Sequence, residues 1–229
     1  MQKNIEVIAF DADDTLWANE NHYRDAEDAF CAMVRDYMSA AAVSEELFKT
    51  EKANMPIYGY GAKAFTLSMI ETLLRITKGE ASSALVQQVI GLGKGLLQTP
   101  VKLLDGVPEV LAKLNGDYRV VLATKGDLLD QGRKLLHSGL EKHFHHIEIM
   151  PDKQKKDYIK LLKNINCKPE NFLMVGNSLK SDILPVLELG GCAVHVPYHV
   201  TWAWETIDQE IDNPRFLEAQ NIREVLNHL

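Results

Sequence analysis

The chain has 229 residues, 46% of them apolar, with 32 Asp and Glu against 25 Lys and Arg for a formal charge of −7. A chain of this length buries roughly 70% of its extended surface on folding, which argues against a disordered polymer, and the acidic balance argues against a nucleic-acid partner. Three scattered cysteines (Cys31, Cys167, Cys192), no long apolar run, and an opening MQKNIEVIAFDADD that reaches acidic residues too soon for a signal peptide predict a reduced, cytoplasmic protein with no membrane partner.

In chain order, NIEVIAF (4–10) reads as a short strand ending in DADDTLW. From there to residue 100 no strong strand is visible. Four helices are expected instead, near 19–38, 44–54, 62–77 and 80–97, with Pro56-Ile57-Tyr58-Gly59-Tyr60-Gly61 dividing the group. The third is the clearest, because Phe65, Met69, Leu73 and Ile76 recur at three and four positions and share one face. DGVPEVLAKL (105–114) predicts a helix leading back toward strands.

Beyond it, strands and helices alternate: YRVVLAT (118–124), a helix over 127–139, HHIEIM (145–150), and a lysine-rich helix over 155–164. NFLMVG (171–176), a helix over 182–189 and CAVHVP (192–197) follow, and NPRFLEAQNIREVLNHL adds a short strand and a final helix. Apolar strands separated by helices call for a parallel sheet covered on both faces. The expected architecture is α/β, a Rossmann-like parallel core of residues 1–17 and 98–229, with an all-helical cap domain, 18–97, inserted after the first strand. Ligands of open α/β sheets bind at such strand ends, where a helical lid would enclose a small substrate.

Asp11, Asp13, Asp14 and Thr15 crowd the end of the first strand. Asp11 and Asp13 are two apart, so in extended geometry their carboxylates point the same way. Clustered carboxylates resist burial unless a cation compensates, and all-oxygen ligands suit magnesium better than zinc or iron.

This motif resembles the D-x-D-x-T nucleophile loop of the haloacid dehalogenase superfamily, and the resemblance extends over nearly the whole chain. It implies a sheet order near 5-4-1-2-3, a phosphoaspartyl intermediate on Asp11, and Asp13 as acid and then base. Because a halide leaves without a proton and an alkoxide does not, Asp13 favours a phosphatase over a 2-haloacid dehalogenase. Thr124, in VVLATKGD, resembles the family's hydroxyl residue for a phosphoryl oxygen, with the Lys125 N–H beside it. The family lysine that neutralises the phosphoryl group falls among Lys153, Lys155 and Lys156 in PDKQKKDYIKLL, and its usual spacing selects Lys153 over Lys156. Gln154 stands where the family commonly has proline. MVGNSLKSD (174–182) resembles the last motif, matching Asp182 to a magnesium ligand. Asn177 stands where many members carry a second carboxylate, and is expected in an outer or water-mediated position. Ser178 and Ser181 read as turn and cap residues.

The implied activity is a Mg2+-dependent phosphomonoesterase acting on a small phosphate ester. The ligands would be Asp11, the Asp13 backbone carbonyl and Asp182. A phosphomutase of the same superfamily and a non-catalytic protein that binds a phosphate ligand remain open, as does the choice between monomer and homodimer. Trp17, Tyr58, Tyr60 and Lys63 are candidates for substrate contact near or in the cap. The aromatic segment HVPYHVTWAWETIDQE (195–210) is expected to pack on the sheet rim, and HFHH (143–146) to be edge-strand polarity and not a metal site.

Overall fold

In a computed structural model describing residues 4–207 and 210–229, six parallel strands form one sheet. Their spatial order is β3 (His146–Met150), β2 (Arg119–Lys125), β1 (Val7–Phe10), β4 (Phe172–Gly176), β5 (Cys192–His195) and β6 (Phe216–Glu218). The expected order 5-4-1-2-3 is present, with β6 added at the edge beyond β5. Met1–Lys3 of the opening segment, and Asp208 and Gln209 of the loop expected on the sheet rim, lie outside the described residues. The helices are α1 (Glu20–Met33), α2 (Ala40–Tyr58), α3 (Ala62–Ile76), α4 (Ser83–Gln98), α5 (Val107–Leu114), α6 (Leu128–Ser138), α7 (Lys155–Asn164) and α8 (Leu184–Leu187).

The alternation of side chains along the central strands explains why the sheet is covered on both faces. Ile8 and Phe10 of β1 join Val120, Leu122, Leu173, Val175 and Val194 on one face, where α5 adds Val107, Val110, Leu111 and Leu114. Ile222 and Val225, from the 3-10 turn Ile222–His228 that replaces the expected final helix, close the same cluster. On the other face Val7 and Ala9 join Val121, Ala123, Phe172 and Met174, covered by Tyr158, Leu161 and Leu162 of α7.

The chain separates into two compact units: one holds residues up to Glu20, Val101–Lys125 and Gln131 onward, the other Asn21–Pro100 with Gly126–Asp130. The second unit is built on α1–α4, whose core is Phe30, Val34, Val43, Leu47, Phe65, Met69, Leu73 and Val89. A buried polar seam runs between α2 and α3, with Asn54 donating to Ser68 at 3.2 Å and Thr72 to Thr50 at 3.0 Å. No helix among the described residues is long and apolar enough to cross a membrane.

Two further elements depart from expectation. Helix α2 continues through Pro56, because a proline near the helix end removes only one i→i−4 bond. Gly59 stops it instead, at φ 72° with its N–H on the Met55 carbonyl. The helix expected over 182–189 opens as a wide π-type turn, Leu179–Ile183, before α8. Ser178 caps that turn through its hydroxyl, which accepts the Ser181 N–H at 3.0 Å.

Asp14 redirects the chain after the first strand. It sits in the left-handed region at φ 61°, and its carboxylate accepts the N–H groups of Asn19 at 2.8 Å and Glu20 at 3.1 Å, capping the start of α1. Burial pushes this carboxyl up to about 7, against the pull of the two N–H donors and Lys134 and with a further push from Asp13.

Two predictions follow from packing and burial. A Cβ at Gly93 of α4 would lie 1.8 Å from Thr66 Oγ1 on α3, whereas one at Gly95 meets nothing within 4 Å. Gly93→Ala therefore destabilises by about 1–3 kcal/mol through overpacking, while Gly95→Ala stabilises by up to about 1 kcal/mol through helix propensity. Chemical denaturation of both variants reads the opposite signs. For Asp14, a folded pKa above the unfolded one means that its contribution is full below about pH 4 and is lost as pH rises toward 7. Asp14→Asn retains an acceptor for the cap without the buried charge. At pH 7.5 it is more stable than the parent by about 1–2 kcal/mol, a gap that closes toward pH 4.5 in thermal melts.

Candidate active site

β1 lies between β2 and β4, the point where strand connections diverge to the two halves of the sheet and leave a crevice at the carboxyl ends. Asp11 extends β1 by one residue, its N–H donated to the Val175 carbonyl at 2.9 Å. Its carboxylate is nearly buried. Lys153, from the segment between β3 and α7, is 3% exposed and donates its ammonium to Asp11 Oδ1 and, at 2.6 Å, to Asp182 Oδ1. Asp182 takes the Ser178 N–H on its other oxygen at 3.0 Å. Glycine is required at 176, since a Cβ there would meet Asp182 Oδ2 at 2.2 Å.

Burial pushes the Asp11 carboxyl up to about 7; the Lys153 ammonium opposes that rise and the Asp182 carboxylate reinforces it. Burial alone would lower the Lys153 ammonium, but Asp11 and Asp182 overcome it and hold the group above the usual lysine range. Lys155 and Lys156 are exposed on the first turn of α7. Gln154, at the position of the expected proline, is the N-cap of that helix in a reciprocal capping box with Asp157.

Asn177 stands closer to Asp11 than an outer role implies. One heteroatom of its side-chain amide lies 3.2 Å from Asp11 Oδ2, from Thr15 Oγ1 and from the Asp13 carbonyl oxygen alike. As oxygen it completes an oxygen-rich group with the carboxylate and the carbonyl; turned about, its NH2 donates to all three. Asp182, expected as the metal ligand, has both oxygens committed to Lys153 and the Ser178 N–H. Among the described residues no three Asp, Glu, His or Cys side chains gather as a metal-binding group. The amide at 177 is one reason.

The Asp13 carboxylate points to a different set of partners. Oδ1 accepts from Trp17 Nε1 at 2.7 Å and Lys134 Nζ at 2.9 Å, and Oδ2 from Gln131 Nε2 at 2.8 Å. Trp17 is both a core residue and a donor to Asp13. Thr124, buried near the end of β2, follows Leu122 by two residues, and Leu122 pairs with Phe10; Thr124 is thus level with the D-x-D turn. The cap candidates have partners within their own unit: Tyr58 donates to Glu71 at 3.1 Å and Lys63 pairs with Asp127 at 2.8 Å, while Tyr60 is half-buried. In the histidine run, His145 Nδ1 accepts the Val120 N–H at 3.0 Å and His146 pairs with Glu148 at 2.9 Å.

Sequence reasoning missed Gln131, Lys134 and Glu205. Gln131 and Lys134 are one turn apart on α6, and Gln131 shares the buried stripe with Leu135; a polar residue on a core-facing stripe was the available signal. Glu205 had none. It lies in the short 3-10 turn Ala203–Glu205 and reaches Lys125, Ser178 and, at 2.6 Å, Ser181. Burial would raise its carboxyl, but the Lys125 ammonium and the serine hydroxyls hold it below the usual range. Lys180 lies 3.7 Å over the Trp204 ring and donates to the Trp204 carbonyl at 2.8 Å, so the aromatic segment is fastened to the turn that carries Asp182. Tyr158, driven far above its usual pKa by burial, donates to the Ser181 carbonyl at 3.0 Å.

Comparison with known proteins agrees with this layout. A family model described as haloacid dehalogenase-like hydrolase matches residues 5–190. A haloacid dehalogenase-like family hydrolase from Xanthomonas campestris is 38% identical, with a TM-score of 0.87 over 96% of this chain and 88% of that one. A Bacillus subtilis structure described as a HAD-hydrolase bound to magnesium shares the fold, with a TM-score of 0.68, 19% identity and 99% of each chain covered. Among curated proteins, glyceraldehyde 3-phosphate phosphatase of Pyrococcus furiosus is 27% identical over 86% of this chain and 82% of its own length. With a family match over residues 5–190 and a relative 38% identical across nearly the whole chain, the chain belongs to the haloacid dehalogenase-like hydrolases.

Proposed function

We propose that this hydrolase is a magnesium-dependent phosphomonoesterase of small phosphate esters, working through a phosphoaspartyl intermediate on Asp11. The observation that carries the reading is the pair Asp11 and Asp13, two residues apart yet in separate surroundings. One carboxylate is buried against Lys153, and the other is held by neutral and cationic donors away from it. Two carboxylates in different environments suit two different roles.

The donor set fits magnesium. Asp11 Oδ2, the Asp13 carbonyl and Asn177 Oδ1 are hard oxygens, and Asn177 Oδ1 is 3.2 Å from each of the other two. Neighbouring oxygens in an octahedron with bonds of about 2.1 Å lie about 3 Å apart. This reading exchanges the expected places of Asn177 and Asp182, with Asn177 on the metal and Asp182 holding Lys153. Charge supports it as well. Asp11, Asp182 and Lys153 together leave a net negative charge, which a dianionic ester would not approach unaided. When bound, the metal supplies two positive charges and draws a phosphoryl oxygen into register.

In the first half-reaction, Asp11 forms a bond to phosphorus while the ester P–O bond breaks, and the leaving oxygen takes a proton from Asp13. In the second, the Asp13 carboxylate takes a proton from water, whose oxygen attacks phosphorus and releases inorganic phosphate and Asp11. The Thr124 hydroxyl, the Lys125 N–H and the Lys153 ammonium hold the three equatorial oxygens, where charge accumulates. The two curated relatives described as glyceraldehyde 3-phosphate phosphatases make short phosphorylated aldehydes and polyols the first esters to assay.

Hydrolysis of an aryl phosphate is expected to stop with EDTA and return with magnesium. Asp11→Asn is expected to lower kcat by about 10³-fold or more while its thermal melt stays cooperative. Turnover surviving in Asp11→Asn, at a rate phosphate release can measure, removes the nucleophile from this reading. Asp13→Asn is expected to cost about 10²-fold or more on alkyl esters and distinctly less on aryl esters, whose leaving groups need no proton. A leaving-group series with equal losses throughout would deny Asp13 the acid role.

A further inference from the structure

The phosphatase reading gives Asp13 its role, but what holds that carboxylate in place comes largely from another element. Both oxygens of Asp13 are engaged. Lys134 Nζ reaches Oδ1 at 2.9 Å and Oδ2 at 3.2 Å, Gln131 Nε2 reaches Oδ2 at 2.8 Å, and Trp17 Nε1 reaches Oδ1 at 2.7 Å. Lys134 also donates to Asn19 Oδ1 at 2.7 Å, so its ammonium is fixed from two sides. Gln131 donates to the Lys125 carbonyl at 3.2 Å as well, which ties the same clamp to the end of β2, next to Thr124.

We propose that Lys134, with Gln131 one turn before it on α6, is the positioning residue of Asp13: the two set the carboxylate's orientation for both proton transfers. Gln131 gives a second, independent reason. It is 3% exposed, and its Oε1 is a buried acceptor with no hydrogen-bond partner. A buried amide with an orphaned oxygen is unfavourable for folding, and an apolar side chain would fill that stripe of α6 without such a cost. Its NH2 faces two acceptors, Asp13 Oδ2 and the Lys125 carbonyl. That donor face is what distinguishes the residue from a packing leucine. Lys134 adds a charge-assisted bond to each carboxylate oxygen, the stronger kind of contact for holding an orientation. Trp17 alone would leave the carboxylate free to turn about a single bonded oxygen.

The Lys134 ammonium is committed to Asp13 and Asn19, so its removal acts on the proton-transfer step and not on phosphate binding. An error of about 1 Å in the placement of a reacting group costs on the order of 10²-fold in rate. Lys134→Met is therefore expected to lower kcat for an alkyl phosphate ester about 10–100-fold with KM within about threefold, and Lys134→Arg to recover most of the loss. Combined with Asp13→Asn, Lys134→Met is expected to change kcat less than about twofold, because the group it positions is already gone. The measurement is a double-mutant cycle on the full chain with saturating magnesium, reading kcat and KM separately, with thermal melts of each variant.

A loss that persists undiminished in the Asp13→Asn background, or one confined to KM, overturns the clamp; the latter would make Lys134 a binding group for the substrate's anion. If Lys134→Met does not fold, Lys134→Gln and Lys134→Arg carry the same cycle. The inference rests on the acid-base reading of Asp13, and the two fail differently. Wild-type turnover of an alkyl ester by Asp13→Asn sinks that reading, whereas impaired Asp13→Asn beside fully active Lys134→Met sinks the clamp alone.

Discussion

A lysine ammonium wedged between two buried carboxylates is the constraint around which the sheet-bearing unit is arranged. Lys153 touches Asp11 and Asp182 from a position almost closed to water. Removing three charged groups from water costs several kcal/mol per ion, and such a cluster rarely exceeds an apolar core of the same volume in stability. The fold holds it in place through its own backbone. Asp11 is pinned by the strand ladder, Asp182 by the wide turn after β4, and Lys153 by its place just ahead of α7. Two carboxylates about one ammonium leave the cluster with an excess of negative charge.

Around that centre the support is layered. The turn that carries Asp182 is held both by the Tyr158 hydroxyl and by Glu205, whose carboxylate gathers Lys125, Ser178 and Ser181. Glu205 is remote in sequence from every motif, yet it joins the ends of β2 and β4 through one side chain. On the other flank, α6 reaches Asp13 with an amide and an ammonium. The two aspartates of the D-x-D turn are therefore governed by different neighbours, and they do not compete for the same lysine.

The family resemblance and the strand pattern carried much of the architecture. NIEVIAF, YRVVLAT and NFLMVG read as buried parallel strands because their central residues are apolar on both faces, and Phe65, Met69, Leu73 and Ile76 marked a helix by their period. Pro56 misled because a proline weakens a helix end without ending it, and the segment 179–183 misled because a side chain folding back onto Ser178 widens the turn. The acidic cluster at the end of the first strand, Asp11, Asp13 and Thr15, was legible because it is local in sequence. The site was illegible where a polar side chain reaches across the sheet, since Gln131, Lys134 and Glu205 belong to no short pattern.

What the sequence by itself determined is whatever depends on neighbours along the chain. The alternation that makes a strand, the three-and-four spacing that makes a helix, and the crowding of Asp11, Asp13, Asp14 and Thr15 at one strand end all follow from covalent spacing. The two carboxylates expected to point the same way from extended chain instead turn apart, because the chain tightens onto the Ala12 carbonyl. What only the tertiary structure decided is which partner each side chain meets: Asn177 inside the oxygen group while Asp182 holds Lys153, and Gln131 and Lys134 at Asp13. Those choices turn on ångströms set by strand register and helix placement, and a hydrogen bond that fails beyond about 3.5 Å leaves no trace in the order of residues.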